Sequence, residues 1–180
     1  ADPHFMLTSW DRVHPGALGH SIMAWTFLEA QGVSPVVSEV CIDAAKGEIS
    51  ACENAAVSDL AVQDGRVSFS LLENALPYPI DPSAREAVVE LKVAERLNRE
   101  TLAVAGLEEG DYALLIDGAE VGRYSAEELA AGVNLAFNEK IPQYAQAQSV
   151  ARLLASLRGE EAVLRNHHSA RWAFGGMTDV

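Results

Sequence analysis

Basic side chains are scarce in this chain: 13 Lys and Arg stand against 26 Asp and Glu among 180 residues, a formal net charge of −13. A surface of that sign repels phosphate, which argues against a nucleic-acid or anionic-membrane partner. Long apolar runs are missing too, and none approaches the ~18 residues a membrane span needs. The opening Ala1-Asp2-Pro3-His4 has no basic n-region, no apolar h-region and no initiator Met. No secretory signal is read there, and a processed chain or a portion of a longer one is expected. Only two cysteines occur, Cys41 and Cys52, without a Cys-x-x-Cys pair or a Cys/His cluster at zinc spacing. The pair could bridge a small loop, but two free, buried thiols are the expectation, and no metal or cofactor is expected. Neither Gly-Asp-Ser nor Gly-x-Ser-x-Gly appears, so no serine is marked as a nucleophile.

What is present suffices for a packed core, since 49% of the residues are hydrophobic. Leu18, Ile22, Trp25 and Leu28 recur at helical spacing from Ala17 to Gln31, widened by Met23, Phe27 and Ala30, with Gly32 placed as a left-handed cap. So broad an apolar surface is expected to pack against something large, such as a sheet. Val36–Asp43 and Glu48–Cys52 read as strands flanking a turn. Asp64-Gly65 is the strongest hairpin signal and would set Val62 against Val67 and Leu60 against Phe69. A loop is expected at the Pro77-Tyr78-Pro79 and Asp81-Pro82 cluster, then a charged helix over Ser83–Asn98. Glu100–Ala105 and Asp111–Ile116 read as strands around a turn at Gly106–Gly110, and Asp117-Gly118 leads into Val121–Tyr124. Ser125 and Glu128 form a capping box for a short helix over 126–131, broken at Gly132. A final amphipathic helix is expected from about Pro142 to Arg165, with Tyr144, Ala147, Val150, Leu154, Leu157 and Val163 along its stripe and a fraying tail from Asn166.

Chemistry concentrates at Asp11-Arg12-Val13-His14-Pro15-Gly16, just before the first helix. An imidazole is the side chain best suited to take a proton near neutral pH, which makes His14 a candidate general base. A carboxylate three residues earlier, Asp11, can accept from Nδ1–H, hold the tautomer and stabilise the imidazolium. The bare spacing also fits a solvated Asp beside a loop His. Ser9 is near in sequence but carries no mark of activation. His20, in the first helical turn, is expected to make a local hydrogen bond. His167 and His168 are adjacent, a poor geometry for ligating one ion. Trp25 is expected in the core, while Trp10 and Trp172 are left open as stacking residues. Asn134 and Gln143 are read as loop braces, and the acidic residues over 83–128 as a solvated face.

The stretch Asp2-Pro3…Leu7-Thr8…Asp11-Arg12-Val13-His14-Pro15-Gly16…Gly19-His20…Met23-Ala24…Phe27-Leu28…Ala30-Gln31-Gly32 resembles the last conserved block of the SGNH (GDSL-type) hydrolases. That resemblance implies an esterase or acylhydrolase with a flavodoxin-like α/β/α fold, in which Asp11 and His14 complete a Ser–His–Asp triad. The phrases Ala75-Leu76-Pro77-Tyr78-Pro79, Leu115-Ile116-Asp117-Gly118 and Gly132-Val133-Asn134-Leu135-Ala136, with Pro142-Gln143-Tyr144, are similar to the C-terminal extension of a bacterial branch of these enzymes. In the family the Gly-Asp-Ser nucleophile and the oxyanion donors precede the Asp–His block by a long stretch, whereas only ten residues precede Asp11 here.

The expectation is thus an α+β chain. Residues 1–32 would form the end of a hydrolase domain, including its last helix; 33–124 a hairpin-rich β extension; and 125–180 a helical extension and tail. Such a chain would supply Asp11 and His14 to an esterase completed by a missing N-terminal hydrolase segment, and would be inactive alone. Its substrate would be a small acylated or carbohydrate ester, and the family implies a periplasmic or secreted setting. The helix at 17–31 would lack its full partner, leaving an exposed patch or driving self-association. The alternative from another functional class is a non-catalytic module that binds carbohydrate or protein through residues 33–165.

Overall fold

The computed structural model describes residues 8, 11–80, 88 and 92–174, without the side chains of 93, 94 and 170–174. The chain is α+β. Helix α1 (Ala17–Ala30) is followed by strands β1 (Val36–Asp43), β2 (Glu48–Glu53), β3 (Ala55–Gln63) and β4 (Arg66–Glu73). A short helix α2 (Val93–Leu97) precedes β5 (Arg99–Ala105), β6 (Asp111–Ile116) and β7 (Ala119–Ser125). Helix α3 (Ala126–Ala131), the two-residue strand β8 (Val133–Asn134) and the long helix α4 (Pro142–Phe174) complete it. No helix among the described residues is long and apolar enough to cross a membrane.

Local chemistry explains most of the boundaries. Helix α1 begins after Pro15 and ends where Gly32 takes φ 71°, the left-handed conformation that costs glycine little. Both residues of Asp64-Gly65 have positive φ (50° and 71°), as a tight type I′ hairpin turn requires. Asp117-Gly118 repeats the device at 51° and 80° and joins β6 to β7. Ser125 Oγ accepts from the Glu128 N–H, and the Glu128 carboxylate accepts from the Ser125 N–H, forming the expected capping box.

Non-local pairing departs from the sequence reading in several places. Strand β5 does not pair with β6 across the turn at 106–110. It lies parallel to β1 in a four-stranded sheet of order β2-β1-β5-β8, and β6 pairs with β7. Val62 does face Val67, but Leu60 does not pair with Phe69. A bulge between Ser58 and Ala61, with Asp59 at φ 56°, removes Leu60 from the ladder. The extra residue shifts the alternation by one, so Val57, Leu60 and Val62 are all half-buried. Of the helix expected over 83–98, only Val88 and residues 92–98 are described; α2 covers 93–97, and Asn98 lies beyond its end. Helix α4 continues nine residues past Arg165 instead of fraying at Asn166. Its stripe is not buried: Ala147 is in the core, whereas Leu153, Leu154, Leu157, Val163 and Leu164 are exposed.

One core cluster gathers Val40, Ile42, Leu102, Val104, Leu135 and Ile141, with the inward sides of both hairpins packed on it. The two cysteines are free, but only Cys41 is partly covered; Cys52 is exposed on edge strand β2, contrary to the expected burial. Cys41 pairs with Ala51 and Val40 with Cys52, so the thiols project from opposite sides of the sheet. A second cluster joins Trp25 to Ile80 and Val88, flanked by Ile22, Leu97 and Phe137. Helix α1 is held to α2 by a bidentate pair in which Arg96 Nε and Nη2 donate to the Glu29 carboxylate at 2.9 and 2.8 Å. Among the described residues its buried face meets Ile80, Val88 and Phe137 rather than a sheet. Trp25 and Gly19 are its buried residues, while Met23 and Phe27 remain 62% and 63% exposed.

Candidate active site

The segment before α1 is built around the Asp11 carboxylate. Asp11 Oδ1 accepts the backbone N–H groups of Val13 and His14 at 3.0 and 3.1 Å, closing a tight turn. Arg12 at the turn's centre has φ 59°, a left-handed conformation uncommon for a side-chain-bearing residue. A backbone bridge between Thr8 and Pro15 closes the loop from outside. With Oδ1 engaged by the backbone, Oδ2 is directed at the imidazole, and His14 Nδ1 lies 2.6 Å from it.

An ionised carboxylate only accepts, so the hydrogen of this contact sits on Nδ1, and Nε2 lies on the opposite side of the ring. Three donors keep Asp11 ionised: first the His14 side chain, then the Val13 and His14 amides, together holding the carboxyl below its ordinary 3.8. The His14 side chain is 79% exposed and that of Asp11 29% exposed, so the ring is open to an incoming group. Asp11 and His14 are thus brought into contact through Nδ1.

The remaining sequence candidates have other roles. His20 Nδ1 donates to the Gly16 carbonyl at 3.0 Å, the expected local bond at the start of α1. Asn134 braces the chain. Its Oδ1 accepts from the Glu100 and Ala136 amides, and its Nδ2 donates to the Asn98 carbonyl. Buried Asn98 in turn clamps the proline-rich loop, accepting from the Tyr78 N–H at 2.7 Å and donating to the Tyr78 carbonyl. Ser9, Trp10 and the Trp172 side chain lie outside the described residues. Among those described, no group of three His, Cys, Asp or Glu is placed to hold a metal ion.

A second polar cluster was not legible in the sequence. Glu100, read as part of a solvated acidic face, is only 3% exposed, on the inward side of β5 in phase with Leu102 and Val104. Burial first, and the nearby Glu73 carboxylate second, push its carboxyl up to about 8. Glu73 accepts from Ser38 Oγ at 2.5 Å and from Gln143 Nε2 at 2.6 Å. The available signal was a carboxyl breaking the apolar alternation Glu100, Leu102, Val104; nothing marked its partners, which lie 27 to 62 positions away.

No protein-family model matches the chain, and no curated protein matches it. A solved structure described as "BT4096 a gut microbial diltiazem-metabolizing enzyme" superposes on it with a TM-score of 0.87 at 36% sequence identity. The match covers 97% of this chain and 42% of that one, so the chain spans less than half the length of the enzyme it resembles.

Proposed function

We propose that these 180 residues are the C-terminal part of a serine esterase of the SGNH type, contributing His14 as general base and Asp11 as its orienter. The nucleophilic serine and the oxyanion donors would come from polypeptide outside this sequence. The observation that carries the proposal is the Asp11–His14 contact of 2.6 Å, with Oδ1 tied to the backbone and the imidazole open. Two further features support it. Helix α1 presents Met23 and Phe27 to solvent immediately after His14, an apolar face suited to docking on the sheet of a flavodoxin-like hydrolase domain. The structure it resembles belongs to a longer enzyme, described as metabolizing diltiazem.

In this mechanism the serine O–H donates to His14 Nε2 while its oxygen attacks the ester carbonyl. The resulting imidazolium is stabilised by the Asp11 carboxylate through Nδ1–H. The tetrahedral oxyanion collapses, the C–O bond to the alcohol breaks, and Nε2–H delivers its proton to the departing alkoxide. Water then repeats the sequence on the acyl-enzyme and releases the acid. On this reading the 180 residues hold the base, while the oxyanion donors, which usually supply the largest share of stabilisation, come from the rest of the enzyme.

The test is to express the whole coding sequence and assay hydrolysis of 4-nitrophenyl acetate. His14→Ala should lower kcat by about a thousandfold or more, with Asp11→Asn in the same range, since triad members act as a unit. The 180-residue chain by itself should show no turnover. Full activity in His14→Ala would refute the assignment.

A further inference from the structure

A cavity of about 740 Å³ lies between the inward face of the β1–β5 sheet and the β3–β4 and β6–β7 hairpins, and neither Asp11 nor His14 lines it. That volume falls within the range of small-molecule sites. Strand β4 runs along it from Arg66 to Glu73, a length of ~23 Å at the rise of a strand. Most of its wall is apolar, with Val67, Phe69, Leu102, Leu114 and Ile116 facing inward. The polar side chains Ser38, Glu73, Glu100 and Gln143 also line it. Register places Glu100 beside Ser38 at the start of β1 and β5, while Glu73 ends β4, so these groups share one end of the cavity.

The chemistry of that end is unbalanced. Both oxygens of the Glu73 carboxylate are engaged, by Ser38 and by Gln143. Glu100 Oε2 and Gln143 Oε1 have no hydrogen-bond partner among the described residues, although both atoms are buried. A buried acceptor left unpaired is costly, and here two of them face the same end of an apolar cavity beside a carboxylate. The cationic residue on the wall, Arg66, sits at the far end, where β4 leaves the hairpin turn. Neutral Glu100 can offer one O–H, but no cation among the lining residues reaches this end, and the two adjacent carboxyls favour a positively charged donor there. A group entering there must also carry an apolar body to cover Phe69, Leu102 and Leu114.

From these observations we propose that the cavity binds a small organic amine, its ammonium N–H groups donating to Glu100 Oε2 and Gln143 Oε1 beside Glu73 and its apolar body lying along β4. This site is separate from the Asp11–His14 pair, and the proposal stands whether or not the chain is part of an esterase.

Calorimetry on the 180-residue protein with 4-phenylbutylamine, 4-phenylbutan-1-ol and 4-phenylbutyrate separates the charge from the hydrophobe. The amine should bind at least tenfold more tightly than the alcohol, and the carboxylate more weakly than either. Glu100→Gln should weaken amine binding about tenfold while leaving the alcohol unaffected, and Leu114→Trp should reduce both by obstructing the cavity. Amide NMR shifts should follow the amine at Ser38, Phe69 and Leu102. Gln143→Leu serves as a second polar-end variant if Glu100→Gln perturbs the fold. Equal binding of amine and alcohol, amine affinity unchanged in Glu100→Gln and Gln143→Leu, or shifts confined to residues outside the cavity would each overturn the proposal.

Discussion

Replacing Glu100 by Gln should make the protein more stable, increasingly so as the pH rises. Folding moves the Glu100 carboxyl from its ordinary 4.5 up to about 8, through burial and then the Glu73 charge. For an acid displaced upward, the fold favours the protonated form. The benefit is complete below about pH 4.5 and is lost progressively as pH climbs towards 8. At ~1.4 kcal/mol for each tenfold change in proton affinity, ionised Glu100 costs about 5 kcal/mol by pH 9, about 3 kcal/mol at pH 7 and about 1 kcal/mol at pH 5.5. A glutamine keeps the shape, cannot ionise, and offers amide hydrogens to Gln143 Oε1, which has no partner among the described residues, and to the Glu73 carboxylate. Urea denaturation of both proteins between about pH 5.5 and 9, followed by tryptophan fluorescence, gives the difference directly. Groups that titrate alike in both cancel, and the gap should widen with the slope just worked out. A gap independent of pH, or a Glu100→Gln protein less stable than its parent at pH 8, would refute the account of Glu100 as a carboxyl held neutral by burial.

Three other outcomes follow from local geometry. The Asp11 carboxyl, held below 3.8 by the His14 side chain and two amides, should titrate under acid conditions where an ordinary Asp is already protonated; its contact with His14 should persist as pH falls through 3.8 and break only below, as read from side-chain carbon shifts. Gly106→Ala should destabilise the fold by about 1–3 kcal/mol in thermal denaturation, because φ is 76° and an added Cβ would meet the Ala45 nitrogen at 2.8 Å. Ser125→Ala should cost about 1 kcal/mol by removing the capping bond to the Glu128 amide, with the loss visible as faster amide exchange in α3.

The exposed face of α1 and the bare outer half of α4 share a physical feature. Met23 and Phe27 on one helix, and Leu153, Leu157 and Leu164 on the other, are large apolar side chains left in water. Single exposed hydrophobics are ordinary on protein surfaces, whereas contiguous apolar patches are the kind of surface that partners cover. On α1 the stripe adjoins His14, which is why docking on a hydrolase domain and completion of the catalytic site go together in the proposed function.

Features set by partners three or four residues apart could be read from the sequence. The Asp11–His14 contact spans three positions, and so does the Ser125–Glu128 box. Asp64-Gly65 specifies its own turn, and Gly32 supplies the φ of 71° that ends α1. In each case the chain needs no distant help, because side-chain reach and backbone preference act within a single turn. Alternation likewise put Val67 and Phe69 on one face of β4. It could not say which strands would meet, because a period of two is the same whatever the partner. Only the tertiary structure laid β5 parallel to β1, some sixty residues earlier, in place of its neighbour β6. That pairing gave one inward face to Ser38 and Glu100 and brought Glu73 and Gln143 to it, turning an apparently solvated glutamate into a buried acid at the end of a cavity. The physical reason is desolvation: a carboxyl's proton affinity depends on what excludes water from it, and that is fixed by packing between segments far apart in the chain.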